Sequence, residues 1–97
     1  MVDSPAPEME LRLFLDGHNA RARVTEETLR ELLGHNFPDQ YRLEVIDIRQ
    51  NPAALEEDDV LATPTLVKRT PPPPSRLIGD FSDELAVLQV LRPSLMR

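Results

Sequence analysis

Four consecutive prolines, Pro71 to Pro74, constrain this chain more than any other feature. Each lacks a backbone N–H, so the run can sit neither inside a helix nor in the middle of a sheet. It must be a stiff connection. On either side lie short apolar segments around Leu66 and Val67 and around Leu77 and Ile78. These read as two short strands joined by a rigid loop, and so as antiparallel neighbours. The other reading of such a run is a polyproline II ligand for an SH3-type domain.

The elements before the prolines follow from periodicity. Leu11, Leu13 and Leu15 alternate with Arg12 and Asp16, which marks a strand with one strongly apolar face. Gly17, His18 and Asn19 break it. A helix follows, with Leu29, Leu32 and Leu33 as its core stripe and Gly34 as C-cap candidate. Its start has two readings. Thr25 is a good N-cap, with Glu26 and Glu27 in the first turn and Val24 stapled against Leu29. Alternatively, the helix begins near Ala20.

Residues 41 to 48 form the second strand. Leu43 and Val45 lie on one face and Ile46 and Ile48 on the other, which suggests a central strand covered on both sides. Pro52 opens a short helix to residue 59. Residues 61 to 68 form the third strand with its approach, and residues 76 to 79 form the fourth. Ser82 is expected to cap a last helix, with Asp83 and Glu84 in its first turn, that runs to about Arg92 and is ended by Pro93.

Helical crossovers make the first strands parallel and right-handed. The order is a thioredoxin-like βαβαββα arrangement, an α/β fold with a mixed four-stranded sheet. Ninety-seven residues suit one such domain. Residues 1 to 9 read as a disordered leader and residues 10 to 97 as the domain. No apolar run is long enough to span a bilayer, and there is no signal-peptide h-region, so a cytoplasmic protein is expected.

Composition removes several kinds of chemistry. The formal net charge of −6 disfavours nucleic acid and anionic membranes, whose binding needs Lys and Arg. The chain has no cysteine, which excludes disulfides, thiolate catalysis and Cys-ligated metals. Thioredoxin-like enzymes keep Cys-x-x-Cys after the first strand, where this chain has Gly17, His18, Asn19 and Ala20. His18 and His35 have no metal-ligand spacing, and His18 has no nucleophile beside it. The acids Glu56, Glu57, Asp58 and Asp59 lack the alternating ligands and Gly of a calcium loop and read as a solvated helix end. No cofactor is implied. Pro64, just before the third strand, stands where thioredoxin-like folds hold a cis peptide, at a cost of about 0.5–1 kcal/mol.

Several segments together resemble a known family. They are Val45-Ile-Asp-Ile48, Asn51-Pro52, Glu56-Glu-Asp58, Leu61-Ala-Thr-Pro-Thr-Leu66, Lys68, the proline run, Ile78-Gly-Asp80 and Ser82-Asp83. This pattern is similar to the KaiB family, and Leu13-Phe-Leu-Asp-Gly17 matches that family's first strand. The amino-terminal domain of the SasA sensor kinase is a weaker relative of the same fold.

The resemblance implies a non-enzymatic adaptor that binds a KaiC-type ATPase and changes which other partners reach it. A sensor kinase or a KaiA-like protein is a further expected partner. A divergent paralogue serving another signalling or stress-response partner is the alternative. The resemblance also implies metamorphism, in which a tetrameric ground state with a rearranged C-terminal half exchanges with the thioredoxin-like form, monomeric or dimeric. Its basic contact surface maps onto Lys68 and Arg76, with Arg69 alongside and with Arg23 beside the family's helix-one arginine position, here Val24. The family carries Gly and Asp where this chain has Val90 and Arg92. Both replacements favour the last helix, by restoring helix propensity and by complementing the macrodipole. They are therefore the expected determinants of fold state.

Overall fold

The computed structural model describes residues 8–92. Their elements are β1 (Met9–Leu15), α1 (Ala20–Asn36), β2 (Tyr41–Asp47), α2 (Ala53–Glu57), β3 (Thr65–Thr70), β4 (Ser75–Ile78) and α3 (Glu84–Leu91). The sheet order is β2-β1-β3-β4. β1 runs parallel to β2 and antiparallel to β3, and β4 is antiparallel to β3. This is the expected thioredoxin-like order, and the rearranged C-terminal half is not the arrangement seen. Of the leader expected over residues 1 to 9, residues 1 to 7 lie outside the described residues, as does the stop at Pro93, whereas Met9 opens β1 and is buried, so the ordered sheet starts one residue earlier than expected.

The sheet separates two apolar layers because its strands alternate. Leu11, Leu13, Leu15 and Leu66 point to one face, where Leu29, Leu32 and Leu33 of α1 and Val87 and Leu91 of α3 cover them. Phe14, Ile46 and Val67 point to the other face and meet Ala54 and Val60, in and just after α2. Truncating a fully buried member such as Leu33 to Ala would cost roughly 2–5 kcal/mol in lost transfer energy and cavity.

Four local expectations need correction. β2 is an edge strand, not a central one. Both of its faces carry apolar residues because α1 and α2 flank both sides even at this edge. α1 starts at Ala20, with the Asn19 side chain accepting from the Ala22 N–H at 2.8 Å. Thr25 is therefore a buried mid-helix residue, and Val24 points to solvent instead of stapling. α1 also continues past Gly34 to Asn36, where the Phe37 N–H closes it on the Leu33 carbonyl at 2.7 Å. Finally, Asp83 caps α3 by accepting from the Ala86 N–H at 3.2 Å. The Ser82 hydroxyl donates backwards to Asp80 at 2.9 Å instead.

Both ends of α3 reach the C-terminal end of α1. The Glu84 carboxylate accepts from the Asn36 amide at 3.1 Å, and Arg92 donates to the Asn36 carbonyl at 3.2 Å. The Arg92 guanidinium lies 4.6 Å from the centre of the Phe37 ring. Val90 packs half-buried on the core, and its carbonyl accepts from the Ser75 hydroxyl at 3.3 Å, tying α3 to the start of β4.

Candidate functional site

The face of the sheet that carries α2 also carries a set of arginines, because strand alternation puts them there. Arg12 on β1 pairs with Val67 on β3, and Val67 pairs with Arg76 on β4, so Arg12 and Arg76 share a face with the Val67 side chain. Arg69 lies two residues beyond Val67. The register slips between Glu10 and Leu11, pairing Glu10 with Thr70 and Leu11 with Lys68, so Arg69 has no partner residue on β1.

The acidic end of α2 bends onto these arginines. Arg12 reaches Glu57 and Asp58 through Nη1, each at 3.2 Å, and Glu44 through Nε at 3.2 Å. Asp58 also lies 3.8 Å from Arg69 Nε. The Asp59 carbonyl accepts from Arg76 Nη1 at 3.1 Å. The side chain of Asp58 is only 7% exposed, so the acidic run is not uniformly a solvated helix end. Three carboxylates (Glu44, Glu57 and Asp58) pair with Arg12 and Arg69, while Arg76 meets only the Asp59 carbonyl, so the positive charge of the face is partly matched within the chain. Apolar surface adjoins it: Ile78, on the same face two residues after Arg76, is 56% exposed, and Leu61 in the loop before β3 is 93% exposed.

The four cations expected from sequence are not brought together. Arg69 and Arg76 share the α2 face. Lys68 alternates to the opposite side, beside Leu11 and Ser75 and towards α3, and is only 2% exposed. It supplies almost no surface charge in this conformation. Arg23 is exposed on α1, in the other layer, lining a cleft with His18, Glu26, Val45, Asp47 and Gln50 at the β2 side of the sheet. The Thr63–Pro64 peptide bond is cis, and Pro64 accepts from the Gly79 N–H at 3.1 Å, joining the loop before β3 to the end of β4.

The turn after β1, where thioredoxin-like enzymes keep Cys-x-x-Cys, is held by a carboxylate. Asp47, at the end of β2, accepts from the N–H of Arg49 at 2.9 Å and of Gly17 at 3.0 Å, and lies 3.2 Å from His18 Nε2. The Arg49 N–H holds the Asp47 carboxyl below the usual carboxylate range. The Gly17 N–H and the charges of His18 and Arg49 add to the effect and outweigh desolvation. Gly17 has φ +88°, a left-handed conformation that favours glycine, and a Cβ there would meet Arg49 at 3.5 Å. Arg49 closes the turn on Asp16 at 2.7 Å. Asp47, Arg49 and Asp16 hold the turn, and among the described residues lining the adjoining cleft no Ser, Thr or Cys stands beside His18. Among the described residues, no cluster of three or more His, Asp or Glu side chains is placed to hold a metal ion.

The KaiB domain model matches residues 12–93, from within β1 through α3. The chain belongs to the KaiB family. It is 46% identical over 85 residues to the circadian clock oscillator protein KaiB of Prochlorococcus marinus, covering 88% of this chain and 73% of that one. It is 45% identical over 85 residues to the protein of the same name from Parasynechococcus marenigrum, covering 88% of this chain and 82% of that one. Among solved structures, the N-terminal domain of Synechococcus elongatus SasA has a TM-score of 0.77 at 20% identity, covering 100% of this chain and 92% of that one. Oxidised mitochondrial thioredoxin 3 from Saccharomyces cerevisiae has a TM-score of 0.66 at 20% identity, covering 86% and 76%. These two likenesses speak for the fold alone. Among the described residues, no helix is long and apolar enough to cross a membrane.

Sequence reasoning missed Arg12, Asp58, Asn36 and Asp47. The first two carried a signal that went unused, an arginine on an outward strand position and an acidic run of opposite charge. Nothing local marks Asn36, whose partners lie 48 and 56 residues away.

Proposed function

We propose that this KaiB-family chain is a non-enzymatic, cytoplasmic adaptor that binds a KaiC-type ATPase and modulates the exchange of other partners on it. The observation that carries this reading is the pairing of a family match over nearly the whole chain with an exposed face of Arg69, Arg76, Ile78 and Leu61. Arginine beside apolar surface is the composition of a protein-binding patch. Carboxylates on the partner would meet the arginines, and the complementarity would govern partner choice and association rate. Arg23, in the other layer, makes a separate contact, while Lys68 supports the packing of β3 beneath α3. Val90 and Arg92 hold the C-terminal half in the form that presents this face, and self-association accompanies the rearranged form.

The test is a pull-down with the KaiC-type ATPase of the same organism, comparing wild type with Arg69→Glu, Arg76→Glu and Lys68→Glu. The two arginine variants should lose most binding while keeping the wild-type circular dichroism spectrum. Unchanged binding in both would reject this surface. Purified protein should neither reduce disulfides nor hydrolyse ATP, and turnover abolished by a point mutation in this chain would reject the adaptor reading.

A further inference from the structure

We infer that the acidic turn after α2 acts as an internal competitor for the partner-binding arginines, with Asp58 standing in for a carboxylate of the partner. The inference rests on the proposed reading of Arg69 and Arg76 as contact residues.

Asp58 is the C-cap of α2, and the turn beyond it carries Asp59 at φ +55°. The turn is pinned by the Val60 N–H to the Leu55 carbonyl at 2.9 Å and by Val60 itself, buried with Phe14 and Val67. So placed, it offers two anionic or electron-rich groups to the sheet. The Asp58 carboxylate lies at Arg69, and the Asp59 carbonyl accepts from Arg76. These are the same two arginines that a partner's acidic surface would engage. Arg12 sets the position of Asp58. It is only 17% exposed and bonds Asp58 at 3.2 Å, so the carboxylate is tethered within reach of Arg69 without being fully committed to it at 3.8 Å. A partner carboxylate that takes Arg69 through Nε therefore competes with Asp58, and one that takes Arg76 through Nη1 must release the Asp59 carbonyl. The consequence is a surface whose charge is masked in the free chain, which suppresses weak association with any acidic protein and reserves binding for a partner that makes additional contacts.

The experiment measures affinity for the KaiC-type ATPase by surface plasmon resonance for wild type, Asp58→Asn and Glu57→Gln. Asn is isosteric and still accepts from Arg12, so the turn is kept while its charge is lost. Glu57 pairs with Arg12, whereas Arg69 and Arg76 meet Asp58 and the Asp59 carbonyl, and its substitution removes the same unit of charge from the same helix end. Releasing this long ion pair, in which Arg69 is half-exposed, should tighten binding about twofold to fivefold in Asp58→Asn and leave Glu57→Gln near wild type. The gain should vanish when Arg69→Ala is added to Asp58→Asn. Equal gains in both single variants would show a general charge effect and overturn competition, as would no gain in Asp58→Asn.

Hydrogen exchange on the wild-type complex gives a second readout that needs no variant. The Asp59 and Val60 amides should exchange faster once the partner displaces the turn. Unchanged or stronger protection there would overturn the inference while leaving the ATPase reading intact. Absence of any binding by wild type would overturn both.

Discussion

Replacing Arg92 with alanine tests what holds α3 on the molecule. Arg92 makes three contributions at one place. Its guanidinium donates to the last carbonyl of α1 at 3.2 Å, lies over Phe37 at 4.6 Å, and sits as a cation at the C-terminus of α3. A hydrogen bond from a charged donor contributes about 1.5 kcal/mol at the low end, appropriate to a half-buried site. The cation–π contact adds about 0.5–1 kcal/mol, and the helix-end charge adds about 0.3 kcal/mol when screened. These terms share one side chain and overlap, so the expected loss is about 2 kcal/mol rather than their full sum.

For a domain of this length, each kcal/mol moves the melting temperature by about 4–8 °C, so a fall of about 8–16 °C is expected. Arg92→Lys keeps the charge but loses the planar contact and should fall about halfway. Urea unfolding followed by circular dichroism gives the free energies. Hydrogen exchange should show the amides of α3 losing protection before those of α1. A loss below about 0.5 kcal/mol, or equal loosening throughout the core, would refute the view that Arg92 anchors this helix.

Two further outcomes follow from local geometry. Asn19→Ala removes the cap of α1 and should cost about 1 kcal/mol in urea unfolding, whereas a helix starting at Thr25 would be indifferent to it. Asp47 has a folded pKa below its unfolded value near 4. Its contribution is therefore present above about pH 4 and is lost as pH falls through the lower folded value. Asp47→Asn should be less stable than wild type at pH 7, and the gap should close on acidification. A gap that is constant from pH 7 to pH 2 would contradict this linkage.

Much of the fold is written locally. Leu11, Leu13 and Leu15 mark β1 by their period of two, and the prolines force a break between β3 and β4 because they cannot donate. The absence of cysteine removes redox chemistry from the turn at Gly17 whatever the fold. The acidic run after α2 and the arginines of β1, β3 and β4 are each visible in the chain, but their meeting is not. Arg12 and Asp58 are 46 residues apart, and only the crossover through α2 sets them 3.2 Å from one another.

Tertiary structure decided the depth and company of each charged residue. Lys68 and Arg69 are neighbours in sequence, yet β3 turns one inward towards α3 and the other outward towards Asp58. Periodicity assigns two faces to a strand but does not say which helix will cover either. β2 was expected at the centre for the same reason, since apolar residues on both faces report coverage and not position in the sheet. The elements, and the thiol chemistry they lack, are legible in the chain because hydrogen-bonding capacity and side-chain period act between near neighbours. The site's geometry came from packing, because ion pairs and burial depend on contacts between segments that the chain brings together only when it folds.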